Sequence, residues 1–178
     1  AVYLEGQLKA FFPEAIIRPQ DAYLISRWPA SALGEPAIID LGLSQEFMRP
    51  LAIPKGFQPD PLLGLVGILE GLGQDELGIL QVIFQGAVNP WAQTIIASVS
   101  DANGKSLFDN DPNMPKLAEA KVSKPLFGVV ARLIGFGNSS YRSEEIVRQM
   151  IRSLRPLEEY GSNSLEPIPN EDYPAEQH

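Results

Sequence analysis

The chain has no cysteine and one histidine, His178, at its last position. The missing thiols exclude disulfides, cysteine nucleophiles and thiolate metal sites, and the near-absence of imidazole removes the residue that Ser-His-Asp triads, histidine acid–base chemistry and histidine metal centres need. Basic residues are also few: 14 Lys and Arg stand against 22 Asp and Glu, a net charge of −8. Grip on a phosphate backbone comes mostly from cations, so direct nucleic-acid binding is not expected. No apolar run approaches the ~20 residues that cross a bilayer, and the N-terminus lacks the basic-then-apolar pattern of a secretion signal. Together with the absence of thiols, this fits a cytoplasmic setting.

What the chain does have is material for a core. With 44% hydrophobic residues among 178, it can fill one well-packed unit or two small joined ones. We expect a single α+β domain over residues 1–160, with 1–59 and 60–160 as candidate subdomains, followed by a polar tail or linker over 161–178. The missing initiator Met and the polar, proline-containing end suggest a piece of something longer.

The most legible stretch runs from Asp75 to Ser100. Leu77–Gln85 reads as an apolar strand, with Leu80, Val82 and Phe84 on one face and Leu77, Ile79, Gln81, Ile83 and Gln85 on the other. Asn89 and Pro90 then open a helix whose Ala92, Ile95, Ile96 and Val99 recur at helical spacing. Leu4, Leu8, Phe11 and Phe12 predict an N-terminal amphipathic helix ended by Pro13, and Ala22–Trp28 predicts a strand. Ala37–Leu43 predicts a second strand, returning against the first as a wide hairpin. Asp60 and Pro61 start a helix carrying Leu62, Leu65, Val66, Leu69 and Leu72, and Gly64, Gly67 and Gly71 near one face would let a neighbour approach closely. Leu117–Val122 reads as a short helix. Pro125–Ile134 reads as a strand apolar on both sides, hence central in a sheet. Ser143 is expected to cap a last helix bearing Ile146, Val147, Met150, Ile151 and Leu154, and one short strand is expected near Leu165. The fold class that follows is a ferredoxin-like α+β sandwich, with a mixed or antiparallel sheet, helices packed on one face and room for two related halves.

Candidate chemistry is sparse. Gly104-Lys105-Ser106 has the end of a phosphate-binding loop, but position 99 is Val where that motif needs glycine, so a turn is expected. Gly71, Gly73 and Gly78 lie between a helix and a strand, the reverse of a dinucleotide fingerprint. Asp109 with Asp111, and Asp75 with Glu76, read as solvated turn acids. Arg142, Arg148, Arg152 and Arg155 on the last helix read as an exposed cationic face or a docking patch, and Trp91 and Trp28 as core or rim residues able to anchor an interface. The candidate interaction residues are therefore Trp91, Arg142, Arg148, Arg152 and Arg155, with no catalytic, cofactor-binding or metal residue assigned.

Several segments resemble a known family. Asp60-Pro61-Leu62, Gln81-Val82-Ile83-Phe84-Gln85, Asn89-Pro90-Trp91-Ala92, and Lys121 and Ser123 ahead of Pro125-Leu126-Phe127 are similar to the segment preceding the motor in type IV secretion coupling proteins of the TraG type and their HerA- and FtsK-like relatives. The resemblance spans roughly Asp60 to Leu154. It implies an accessory domain of a conjugation or secretion ATPase, with ATP and Mg held only by a motor C-terminal to it. It also implies protein partners or self-association within a larger assembly, in a full-length protein that can be membrane-associated. A stand-alone α/β module binding a small molecule or peptide is the alternative, and an enzyme working through carboxylates or Ser/Thr is a third.

Overall fold

A computed structural model of the chain describes residues 2–14, 16, 18, 21–28, 35–51, 62–86, 90–155 and 162–168. The chain divides into two compact units, Ala1–Ser31 and Ala32–His178. The first holds α1 (Val2–Phe11) and α2 (Tyr23–Arg27). α1 forms where expected, with Lys9 pairing back to Glu5 at 2.7 Å across one turn and the Phe12 N–H donating to the Leu8 carbonyl. α2 overturns the strand expected over Ala22–Trp28. Ser26 and Trp28 donate their N–H groups to the carbonyls of Ala22 and Leu24, and the Ser26 hydroxyl donates to the Tyr23 carbonyl. Local bonds thus satisfy backbone groups that a strand could satisfy only against a neighbour, and the β preference of Tyr23 and Ile25 is outweighed.

The second unit carries β1 (Ala37–Leu43), α3 (Leu63–Glu70), β2 (Leu77–Gly86), α4 (Trp91–Val99), α5 (Met114–Val122), β3 (Phe127–Phe136), α6 (Ser140–Ser153) and β4 (Leu165–Pro167). The four strands form one antiparallel sheet in the order β2-β3-β1-β4, and helices pack against it, an α+β architecture compatible with a ferredoxin-like fold. β3 is internal, as its two-sided apolar pattern demanded. β2, the most conspicuous strand in the sequence, is instead an edge. β1 pairs with β3 and β4 rather than with Ala22–Trp28, so the hairpin is not formed.

The core lies on the face that displays Ile39, Leu133 and Leu80, which the register aligns in one row across three strands. α6 covers this face with Ile146, Val147, Met150 and Leu154, all buried, and α3 adds Leu65. Contact is closest at Gly135 in β3, where a Cβ would stand 2.5 Å from the Ser143 carbonyl oxygen and 2.8 Å from Val147 Cγ2, so a side chain there would displace the helix. On α3 the expected close approach occurs at Gly64 alone, 3.4 Å from Ser153 Cβ; Gly67 and Gly71 face no other element. The cap of α6 is Ser139, whose Oγ accepts from the Arg142 N–H at 3.2 Å, and not Ser143. Ser143 lies a turn inside, fully buried, accepting from the Gly137 N–H and donating to the Ser139 carbonyl.

α4 and α5 pack on each other around a second core of Ile95, Val99, Met114 and Ala118, completed by Met48 from the segment after β1. Lys121 of α5 donates to the carbonyls of Phe47 and Arg49, and Arg49 pairs with Glu46 and Asp111, which fastens that segment to the helices. α5 begins before the expected Leu117, with Pro115 in its first turn where a missing N–H costs nothing. Part of the presumed tail is also structural: β4 pairs with β1, and Asn163 is fully buried. The expected caps at Asp60-Pro61 and Asn89 and the rest of the expected tail from 169 onward lie outside the described residues.

Candidate interaction surface

β2 and β3 pair over ten residues, from Leu77↔Phe136 to Gly86↔Phe127, whereas β1 accompanies β3 only from Ala131 to Gly135. The remaining part of the ladder, residues 83–86 against 127–130, therefore extends past β1 as a two-stranded arm, with Val82↔Ala131 at its base. Neither α3 nor α6 covers the arm's end. Alternation puts Val82, Phe84, Phe127 and Val129 on the side continuous with the core face, and Ile83 and Val130 on the other. All six are exposed, Phe84 at 68%. The Phe84 and Phe127 rings meet edge to face, with centroids 6.0 Å apart and planes at 82°. The apolar face expected along β3 is thus buried only at Ala131 and Leu133.

Trp91 opens α4 beside this arm. Its ring tip lies 3.6 Å from the place a Cβ would occupy on Gly128, so the absent side chain makes room for the indole, which is still 43% exposed. From Trp91 a groove of about 520 Å3 passes Val122, Leu126 and Phe127, and a second of about 620 Å3 continues from Ala92 and Val122 along Ile96, Ala97 and Ser100. Both are open to solvent and mainly apolar. The charged side chains lining them are Asp101 and Lys124.

The arginines expected to form a patch divide into two groups. Successive helical residues are ~100° apart, so Arg148, Arg152 and Arg155 fall within ~60° of one another when the helical path is extended to 155, while Arg142 points elsewhere. Arg142 is held by Glu76 through Nε–Oε1 at 2.6 Å and Nη2–Oε2 at 2.9 Å, and by Glu145 at 3.0 Å. That clamp lowers the Glu76 carboxyl to about 2, with a further contribution from the Gly73 N–H, and raises the guanidinium. Arg142 is therefore a latch between the entry to β2 and the start of α6. Arg148 pairs with Glu144 at 2.6 Å on an exposed face. Among the described residues, Arg152 and Arg155 make no ion pair.

The acidic turns also differ from expectation. Glu76 is the partner of Arg142, and Asp111 binds Arg49 at 2.7 Å, so one acid of each supposed surface pair is a structural anchor. On the sheet face opposite the core, Asp40 takes two hydrogen bonds from Arg132, at 2.7 and 3.0 Å; these lower its carboxyl below the usual range despite its burial. Gly104-Lys105-Ser106 forms a turn closed on Asp101, whose carboxylate accepts from the N–H groups of Asn103 and Lys105; Gly104 adopts φ 77°. Its N–H groups face Asp101, so no phosphate cradle is formed.

Among the described residues, no group of three or more His, Cys, Asp and Glu comes together to hold a metal, and no helix is long and apolar enough to cross a membrane. The strongest feature overlooked in the sequence is the exposure of Val82, Phe84, Phe127 and Val129, because an apolar strand face looks the same whether or not a helix covers it. No family model, curated protein or solved structure matches this chain.

Proposed function

We propose that this chain is a non-catalytic protein-docking domain. On the resemblance of Asp60–Leu154 to pre-motor segments, we assign it to a larger DNA-translocating or secretion ATPase, where it serves assembly, partner docking or substrate selection. One observation supports docking above all: the β2–β3 arm exposes apolar side chains on both faces, Val82, Phe84, Phe127 and Val129 on one and Ile83 and Val130, beside Trp91, on the other. Apolar area left in water costs roughly 25 cal/mol per Å2 relative to burial, and large exposed patches of this kind mark interaction sites. The charged groups beside the fold's seams are engaged with one another rather than converging on a cleft, which favours holding over chemistry. ATP and Mg belong to the motor in this reading, and the domain works on the cytoplasmic side.

Two experiments test it. Equilibrium dialysis of the isolated chain with Mg-ATP should show neither binding nor turnover, and coding sequence following these 178 codons should contain GxxxxGK[ST] between a strand and a helix; stoichiometric ATP binding, or a reading frame with no motor, rejects the ATPase assignment. Hydroxyl-radical footprinting of the full-length assembly against the isolated chain should show protection at Phe84, Phe127 and Trp91. Equal reactivity there rejects docking. The groove along Ile96 and Ser100 favours a second reading, a stand-alone module that takes a small molecule or peptide, which a saturable ligand displaced by Ala97→Trp would support.

A further inference from the structure

The two edges of the sheet are built differently. β4, at one end, is three residues long and finishes at Pro167, both devices by which sheets avoid pairing with other chains. β2, at the other end, is ten residues long and contains no Pro, Lys, Arg, Asp or Glu. Its extensive contacts are with β3 alone, and residues 81–86 are all exposed. Every second residue of such a strand turns its N–H and C=O outward, unpaired within the sheet. A protein of net charge −8 leaves this strand neutral, so a second copy would meet no local repulsion.

We infer that β2 pairs antiparallel with β2 of a second copy, about a two-fold axis at Ile83. This rests on the reading of the arm as a docking surface and names the occupant. A two-fold perpendicular to the sheet keeps each face on its own side, so residues of like parity must oppose one another. Only some registers suit the sequence LGILQVIFQG. Centring on Gln81 places Gly78 opposite Phe84 and Leu77 opposite Gln85, and centring on Val82 sets both glutamines against isoleucines. Centring on Ile83 sets Gln81 against Gln85 of the second copy, Ile83 against itself, and Val82 against Phe84. Amide then meets amide and apolar meets apolar from Gln81 to Gln85, with Leu80 set against Gly86 outside that span.

On β2 itself Val82, Ile83 and Phe84 are 50%, 54% and 68% exposed, and the exposed Phe127, Val129 and Val130 of the adjoining β3 extend the apolar surface beside the seam. Pairing yields an eight-stranded sheet whose two outer edges are both the short, proline-ended β4. The two-fold closes after one step, so the unprotected edge is used up rather than propagated.

The test uses the 178-residue chain, whose lack of cysteine lets single nitroxide labels be placed at will. Sedimentation should show a mass twice 19.5 kDa. Labels at positions 79, 81, 83 and 85 should give inter-copy distances with a minimum at 83, rising by about 7 Å for each residue moved, since both strands recede together. Ile83→Lys should weaken dimerisation at least tenfold, because it sets two like charges face to face, while Arg148→Glu on α6 should leave it unchanged. Wild-type-like far-UV dichroism and a cooperative thermal transition show that Ile83→Lys still folds. A chain monomeric at all concentrations overturns self-pairing, as does a dimer whose distance minimum lies elsewhere or which survives Ile83→Lys. In either case the footprint in the full assembly decides separately whether the arm docks another protein.

Discussion

Replacing Asn163 should cost more than replacing the exposed polar residues described around it. Its side chain is fully buried and uses both ends. Oδ1 accepts from the Gln45 N–H at 2.9 Å, the Ser44 hydroxyl at 3.2 Å and the Ser164 N–H at 3.1 Å, while Nδ2 donates to the carbonyls of Gln45 at 3.2 Å and Glu46 at 3.0 Å. Leucine, of similar volume, would leave those backbone groups without partners. Each unsatisfied buried group costs about 1–3 kcal/mol, but Gln45 and Glu46 are exposed enough to recruit water, so we expect Asn163→Leu to lose about 2–4 kcal/mol. Asn163→Asp should lose at least as much, because it keeps the acceptor but turns a second oxygen toward the two carbonyls. The assay is urea unfolding at neutral pH, with the m-value checked for constancy. Hydrogen exchange supplies a second readout: the Ile168 N–H, bonded to the Asp40 carbonyl, and the Asn163 N–H, bonded to the Pro50 carbonyl, should lose protection before the β3 amides do. A loss below about 1 kcal/mol for both variants would refute the assignment of Asn163 as the clasp that closes β4 onto β1.

Glu76 makes stability depend on acid. Its carboxyl falls from 4.5 to about 2 on folding, so its contribution is complete above the unfolded value and is lost as pH falls from about 5 toward 2. After allowance for solvent screening this is about 1–2 kcal/mol, and Glu76→Gln should flatten that part of the stability–pH curve; an unchanged curve refutes the clamp. Gly135→Ala should cost about 2 kcal/mol or more by thermal unfolding, because the obstructing atom is the Ser143 backbone oxygen and cannot rotate away. Asp40→Ala should cost about 1–3 kcal/mol by removing the carboxylate that accepts two hydrogen bonds from Arg132, whereas Asp40→Leu with Arg132→Leu should recover most of that loss. A double variant as weak as the single one would show that the pair contributes more than mutual neutralisation.

Period and punctuation made the helices and strands of the second unit readable. Leu77–Gln85 and Ala37–Leu43 announced β2 and β1, and the Ile146, Val147 and Met150 spacing announced the buried face of α6. Pairing was not readable, because strand order depends on contacts far apart in sequence. β1 meets β3 through Asp40↔Arg132, and nothing local to either residue selects the other. The misreading over Ala22–Trp28 has the opposite cause: with no partner strand among the described residues, the bonds within the turn decide, and residue preference is too weak to resist them. Arg142 shows the same limit at the candidate site, where helical spacing located the side chain but could not show that Glu76 holds it. Asn163 was hidden for a compositional reason. A polar residue in an acidic, turn-rich stretch looks solvated until the carbonyls it serves are placed around it.

The β2–β3 ladder divides labour along its length. At the Leu77↔Phe136 end, α3 and α6 cover it, and Leu80 and Leu133 join the core. Toward Gly86↔Phe127 the same hydrogen-bonded ladder continues with no described helix over its core-side face, so the anchored end holds the arm. Removing apolar groups from a core destabilises a protein, whereas surface substitutions away from packed features are usually within about 0.5 kcal/mol. Apolar residues at Val82, Phe84, Phe127 and Val129 are therefore not needed to form the fold, yet they carry the solubility cost of exposed hydrophobic surface. Exposed apolar side chains on a charge-free β2, with Arg49, Arg132 and Arg142 paired to acids elsewhere, are the features on which the proposed docking role rests.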